Sequence, residues 1–252
     1  MEHRQQHSDC FLKTKDFSVS GETFSLVPQL GGTLLKTEPA PPTKELSRYY
    51  DHADYLSHTD GNRSLFERIY RMVKTFAATQ KLKQIERFCP DKGRLLDIGA
   101  GTGDFIIAAQ KRNWQAQGSE PNEKALAKAR QKGLILERDT AEFEGHFFQV
   151  VTLWHVLEHL PDYQKQIEEL LRLLAPGGLA VVAVPNFTCH SAGYYKEHWA
   201  AFDVPRHLWH FSKASLIPLF EKQGFKLINI KPLWQDAYYI NLLSEKYQTG
   251  KM

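Results

Sequence analysis

In the segment LLDIGAGTGDF, three glycines at alternate positions, Gly99, Gly101 and Gly103, follow an apolar run and lead into a helical pattern. Glycines so placed let the main chain take positive φ and approach a ligand closely, and the helix start behind them offers N–H groups without helical partners. The spacing is G-x-G-x-G, not the G-x-G-x-x-G that cradles a pyrophosphate, and no Lys-Ser or Lys-Thr pair follows as a P-loop requires. Asp97 stands two residues before the first glycine and sets a carboxylate at the strand end, a better partner for a cationic amino group than for a phosphate. The chemistry implied is recognition of a nucleotide-like cofactor that bears an amino acid. Two further carboxylates lie downstream, Glu120 in GSEPNEKA and Asp139 in ERDTAEF. A carboxylate can accept from both hydroxyls of a cis-diol. Each feature alone has a plainer reading, since a glycine turn can be a tight connection and Glu120 a helix-cap carboxylate; it is their order along the chain that carries weight.

The elements that must hold these residues can be read from periodicity. Apolar residues recur at helical spacing from Ser64 to Phe88, with Ser64 and Glu67 as a capping box and Pro90 ending the run. Beyond it, strands and helices alternate: a strand Arg94 to Ile98, a helix Gly103 to Arg112, a strand Ala116 to Ser119, and a helix opened by Pro121 and closed by Gly133. Strands at 134–137 and 148–153, a helix from Asp162 to Leu174 stopped by Pro176-Gly177-Gly178, and a strand Leu179 to Val184 follow. The runs FFQVVTL and LAVVAV lack polar alternation, as central strands covered on both faces should. The expected fold is α/β, a doubly wound, mostly parallel sheet, with the glycine loop at the carboxyl edge where such sheets bind ligands.

With these segments in order, the chain resembles the class I S-adenosylmethionine-dependent methyltransferases, whose first motif D-x-G-x-G-x-G is matched by Asp97, Gly99, Gly101 and Gly103. The resemblance implies a Rossmann-like fold and S-adenosylmethionine as cofactor. It implies that Glu120, followed by Pro121, accepts from the ribose hydroxyls, and that Asp139, with Thr140 and Ala141 beside it, meets the adenine amino group. Ala100 belongs to the same loop, and Trp154 is placed to cover the methionine or adenine end. VVTLWHVLEHLPD and LLAPGGLAVVAVPN match the fourth strand with its turn and the fifth strand of the same family.

Methyl transfer from a sulfonium is an in-line displacement, so the protein has to align the acceptor and, for an O or N nucleophile, remove a proton. His155, just after the fourth strand, is the first candidate for that role, with His159 near it. HVLEH also reads as H-x-x-E-H, the pattern of inverted zinc peptidases, but that motif needs a continuous helix, and here a buried strand runs into Trp154 while Pro161-Asp162 starts the next helix. The C-terminal stretch WAAFDVPRHLWHFSKASLIPLFEKQGFKL looks like a segment that follows the fifth strand in a broad methyltransferase subfamily. Its His207 and His210 are candidate acceptor contacts, while Trp199, Phe202, Trp209 and Phe211 are read as packing and Arg206 as paired with Asp203.

Composition bounds the remaining alternatives. The 252 residues carry 32 basic and 29 acidic side chains mixed along the chain, without the basic block of a nucleic-acid binder. No run approaches the roughly 20 apolar residues of a membrane helix, and three widely spaced cysteines fit a reducing compartment. The expectation is a cytoplasmic protein with a small-molecule acceptor, no nucleic-acid or membrane partner, and an oligomeric state the sequence leaves open. Residues 1–43 are expected to form a degenerate zinc-ribbon-like arm, since relatives with such a module carry two C-x-x-C pairs where this chain has His7, Cys10, Gln29 and Gly32, which leaves too few ligands for a structural zinc; no metal is expected. A helical lead-in at 44–90 and a cofactor-binding domain at 91–252 follow, the latter with a strand Phe225 to Lys231, a helix Asp236 to Glu245 and no seventh strand. Two rivals to the enzyme remain. One is a catalytically inactive cofactor-binding or interaction protein of the same descent; the other, a nicotinamide-dependent oxidoreductase, is disfavoured by the glycine spacing.

Overall fold

The computed structural model describes residues 10–49 and 65–250. Among them are eight strands: β1 (Leu12–Lys15), β2 (Thr23–Gln29), β3 (Leu34–Glu38), β4 (Arg94–Ile98), β5 (Gln115–Ser119), β6 (Phe148–Trp154), β7 (Leu174–Ala183) and β8 (Trp209–Phe211). They form two four-stranded sheets, β1-β2-β3-β8 and β5-β4-β6-β7. The chain divides accordingly into two compact units, one holding described residues 10–49, 158–161 and 185–250, the other 65–157 and 162–184. The expected boundaries at 43 and 90 do not mark them, because residues 185–250 fold with residues 10–49.

The α/β unit follows the sequence pattern closely. All three pairings of its sheet are parallel, and β4 and β6 at its centre are nearly all buried, as continuous apolar strands covered on both faces must be. The helix Tyr163–Leu173 shows how the crossovers pack. Asp162 caps its start by accepting from the Lys165 N–H at 3.0 Å, and Tyr163, Ile167, Leu170 and Leu173 recur on one buried face. Each such side chain contributes about 1.5–3 kcal/mol by leaving water. The helix Leu65–Glu86 buries Leu82 and Ile85 in the same core as Leu95, Ile106 and Leu126; the proposed cap Ser64 lies outside the described residues.

Three sequence expectations in or near this sheet are corrected. The strand expected at 134–137 is reduced to a single bridge between Glu137 and Ser119, although Leu134 and Leu136 are buried as a strand's inward residues would be. LAVVAV lies in β7, an edge strand whose residues there are only half-buried, not a central one. The strand expected at Phe225 to Lys231 is an irregular segment in which Leu227, Ile228 and Ile230 are exposed. Among the described residues nothing pairs with the outer side of β7.

The other unit is antiparallel throughout its named pairings. Residues 12–38 form a three-stranded meander, and β8, from the last quarter of the chain, completes it by pairing Leu34 with Phe211 and Lys36 with Trp209; His7 lies outside the described residues. Its core gathers Phe24, Leu26, Leu35, Trp199, Phe202 and Val204. The buried Arg206 guanidinium ties the segments together. It donates to Asp203 Oδ1 at 2.6 Å, to Asp16 Oδ1 at 2.9 Å and to the Tyr49 carbonyl at 3.0 Å. The C-terminal helix is longer than expected, Trp234–Thr249. It joins this unit through the Ser244 hydroxyl, which accepts from the Ala200 N–H at 2.8 Å, and through Tyr247 stacked 4.7 Å from Phe17.

Candidate cofactor site

The glycine loop leaves β4 at its carboxyl end, and all three glycines take left-handed φ, +69° at Gly99, +56° at Gly101 and +77° at Gly103. Two are also sterically fixed: a Cβ on Gly99 would lie 2.5 Å from Val156 Cγ2, and one on Gly103 would lie 2.2 Å from Leu134 Cδ1. Gly101 differs, because nothing lies within 4 Å of where its Cβ would be. The middle of the loop therefore faces open space, which is where a ligand can approach the main chain. Ala100 anchors the turn by donating its N–H to the Ser119 carbonyl at 3.0 Å.

Glu120, at the end of β5, is 8% exposed. One carboxylate oxygen accepts from the Gly101 N–H at 2.8 Å and the other from the Asn122 N–H at 2.9 Å. These two bonds fix the carboxylate against the loop and use one acceptor position on each oxygen, which leaves each oxygen able to take a further hydroxyl. Pro121 follows on the exposed side. The cap role that a lone Glu120 could have had belongs to Asn122, whose side chain accepts from the Ala125 N–H.

Asp97 is buried, 3% exposed, and sits in register with Thr152 of β6. The Thr152 hydroxyl donates to Asp97 Oδ1 at 2.6 Å. Burial pushes the Asp97 carboxyl up to about 7, opposed by the Thr152 hydrogen bond and by Lys81, while the charge on Glu120 adds to the rise. A carboxylate held in this state gains most from a cationic partner. Thr152 and Lys81 are the functional neighbours that sequence reading missed. Thr152 left a signal, a polar residue inside a strand otherwise buried and apolar; Lys81 left none that separates it from the other lysines of its helix.

Trp154 ends β6 with its ring 5.4 Å from Phe105, and the Lys81 ammonium lies 4.5 Å above it. Its indole N–H is buried with no hydrogen-bond partner among the described residues, a cost of about 1–3 kcal/mol that a bound acceptor atom would remove. His155 follows at φ +58°, an uncommon conformation for a residue with a Cβ, held by its N–H on the Ala183 carbonyl at 3.0 Å. Asp139 is exposed and caps a single turn, accepting from the Ala141 N–H at 2.9 Å, with Thr140 next to it. The fold thus sets Asp97, the three glycines, Glu120, Trp154 and His155 on the carboxyl ends and first turns of β4, β5 and β6. A cavity of about 250 Å³ lined by Arg94, Gln115 and Phe147 lies at the strands' amino ends, away from all of these.

His207 and His210 belong to the antiparallel unit and are buried there. The His207 Nδ1 lies 2.9 Å from the Ala201 carbonyl, and the His210 Nε2 lies 2.9 Å from the Thr37 hydroxyl. Burial, with a smaller contribution from His207, drives the His210 imidazole down to about 3, so it is neutral at ordinary pH. Trp199, Phe202 and Phe211 are core residues, and Trp209 donates its indole N–H to the Leu160 carbonyl at 3.1 Å.

Residues 62–230 match a family described as a methyltransferase domain. The chain is 32% identical over 117 residues to a putative methyltransferase, YqeM, of Bacillus subtilis, an alignment covering 42% of this chain and 47% of the relative, so that it spans about half of that protein's length. It is 26% identical over 171 residues to the demethylmenaquinone methyltransferase of Bacillus mycoides, covering 55% of this chain and 72% of the other. In fold it is similar to the magnesium protoporphyrin IX methyltransferase of Synechocystis, solved with bound S-adenosylhomocysteine. That likeness has a TM-score of 0.55 at 18% identity and covers 74% of this chain and 91% of the other.

Proposed function

The chain belongs to the methyltransferase-domain family, class I and dependent on S-adenosylmethionine, and from that premise we propose that its glycine loop holds this cofactor for methyl transfer to a small-molecule acceptor. The observation that carries the reading is the Glu120 carboxylate pinned to the Gly101 N–H, beside a loop whose middle glycine faces open space. In this reading Glu120 takes the ribose hydroxyls. Asp97, short of a cation in the apolar interior, takes the amino group of the methionine part. Asp139 and Thr140, on an exposed turn, take the adenine edge, and the orphaned Trp154 N–H finds its acceptor in the bound molecule. The small-molecule acceptor rests on the relatives, whose names specify a quinone precursor and a porphyrin.

S-adenosylmethionine supplies an electrophilic methyl group on a sulfonium. The protein's residues bind and orient it, and they exclude water from the line of attack. For an oxygen or nitrogen acceptor, His155 is the proposed base: as the acceptor–methyl bond forms and the sulfur–methyl bond breaks, the acceptor's proton passes to the imidazole. No helix among the described residues is long and apolar enough to cross a membrane.

The test is turnover of methyl-labelled S-adenosylmethionine with a panel of small phenolic, amine and carboxylate acceptors. The expected result is acceptor-dependent S-adenosylhomocysteine, reduced at least 10-fold by His155→Ala with cofactor affinity retained. Cofactor binding without turnover on any class would instead favour the catalytically inactive reading.

A further inference from the structure

The antiparallel unit holds a second cluster of chemically capable side chains, in its interior and separate from the cofactor residues. Glu158, His159 and His207 each bring a ligand atom to a common point, with all these atoms within 4.8 Å of one another. Ligands about 2.1 Å from a tetrahedral zinc stand roughly 3.4 Å apart, so the set needs only small side-chain rotations to close on an ion. Glu158 is 1% exposed and His207 8%.

Both imidazoles are oriented from behind. The His159 Nδ1 lies 3.0 Å from the Arg206 carbonyl and the His207 Nδ1 lies 2.9 Å from the Ala201 carbonyl. A carbonyl can only accept, so each Nδ1 carries its proton and each Nε2 carries the lone pair. A main-chain carbonyl that fixes the tautomer is the arrangement that supports metal-ligating histidines.

Charge points the same way. Asp203 and Glu158 both act on His159, and Asp203 shares Arg206 with Asp16. A divalent cation beside His159 would lie in the field of both carboxylates. We propose that Glu158, His159 and His207 form a divalent transition-metal site within the antiparallel unit, with two imidazole donors and one carboxylate donor. The donor set suits zinc and its borderline neighbours rather than calcium or magnesium, which favour all-oxygen sites. The sequence expectation of no metal rested on the missing cysteines of the arm and on the broken H-x-x-E-H helix. The structure shows Leu157–His159 as one 3₁₀ turn, and the cluster takes Glu158 and His159 from that motif and adds His207, 48 residues on.

The test uses the untagged full chain, stripped with chelator, loaded with zinc and dialysed. Elemental analysis is expected to find close to one zinc per chain, and cobalt loading to give visible d–d bands of a low-coordinate nitrogen and oxygen site. Glu158→Gln and His207→Gln are each expected to weaken zinc binding at least 10-fold. Less than a tenth of an equivalent retained by the folded wild-type chain, or undiminished stoichiometric binding in both variants, would overturn the site. Should the variants fail to fold, absence of the cobalt bands in the wild-type chain would overturn it alone. Because the readout is metal content, the outcome is separate from whether the glycine loop binds its cofactor.

Discussion

The two units of this chain are built by opposite rules. In the α/β unit, each strand and the helix after it are neighbours in sequence, and the residues that can hold a cofactor sit at the turns between them: Asp97 to Gly103, Glu120, Asp139, Trp154 and His155. In the antiparallel unit, β3 pairs with β8 across more than 170 residues, and Arg206 binds Asp16 190 positions away in the chain. Local construction puts chemistry at strand ends, where loops can vary without disturbing the sheet. Non-local construction puts charged groups into the core, where they hold distant segments in one arrangement. The first unit should lose function when its polar residues change, and the second should lose stability.

The largest expected effect is in the antiparallel unit. Arg206→Ala leaves Asp16 and Asp203 buried without their cation, and breaking such a set from one side costs about 3–5 kcal/mol; chemical denaturation should show the loss. A cost below 1 kcal/mol would break the comparison, because Arg206 would then not be what joins the two ends of the chain.

Next in size is Asp97→Asn, where the sign is reversed. The Asp97 carboxyl is raised to about 7 in the folded chain from an ordinary 3.8. Its burial therefore costs nothing below pH 4, and the cost grows as pH rises through 7. Asparagine should raise the stability of the ligand-free protein at pH 8 by on the order of 3 kcal/mol, with the gain shrinking towards pH 4, while it weakens cofactor binding. Equal melting temperatures of the two proteins at pH 8 would show that Asp97 is not held in this strained state.

Gly99→Ala comes third, at about 2 kcal/mol from the left-handed φ and the contact with Val156 together. It should also lower affinity by deforming the loop, measurable as paired losses in melting temperature and ligand binding. Asp139→Ala should cost least, about 1 kcal/mol or less of local cap energy, with a few-fold loss in cofactor affinity at most. A loss above 30-fold would make Asp139 a principal contact and sharpen the site beyond Glu120.

How much could be read beforehand follows the same division. The glycine turn and the strands β4, β5 and β6 are legible because each depends on residues adjacent in sequence. The meander of residues 12–38 reads in sequence as a degenerate ribbon-like arm because its completing strand lies in β8, and no local pattern announces a partner that far away. LAVVAV was read as a central strand from its apolar run alone, but composition does not say whether a neighbour exists on both sides. Phe225 to Lys231 likewise has a strand-like sequence but takes no regular structure. Thr152 shows a further limit. Its bond to Asp97 is a register relation between parallel strands 55 residues apart, which periodicity within either strand cannot reveal.

The most direct test is calorimetric titration of the folded chain and of Glu120→Ala with S-adenosylhomocysteine at pH 8. The arrangement predicts one molecule bound per wild-type chain and an affinity lowered roughly 10- to 150-fold in the variant, the equivalent of about 1.5–3 kcal/mol for a lost charge-assisted bond. Absence of binding by the folded wild-type chain, or identical affinity in the two proteins, would contradict the assignment of this loop and its carboxylate as the cofactor site.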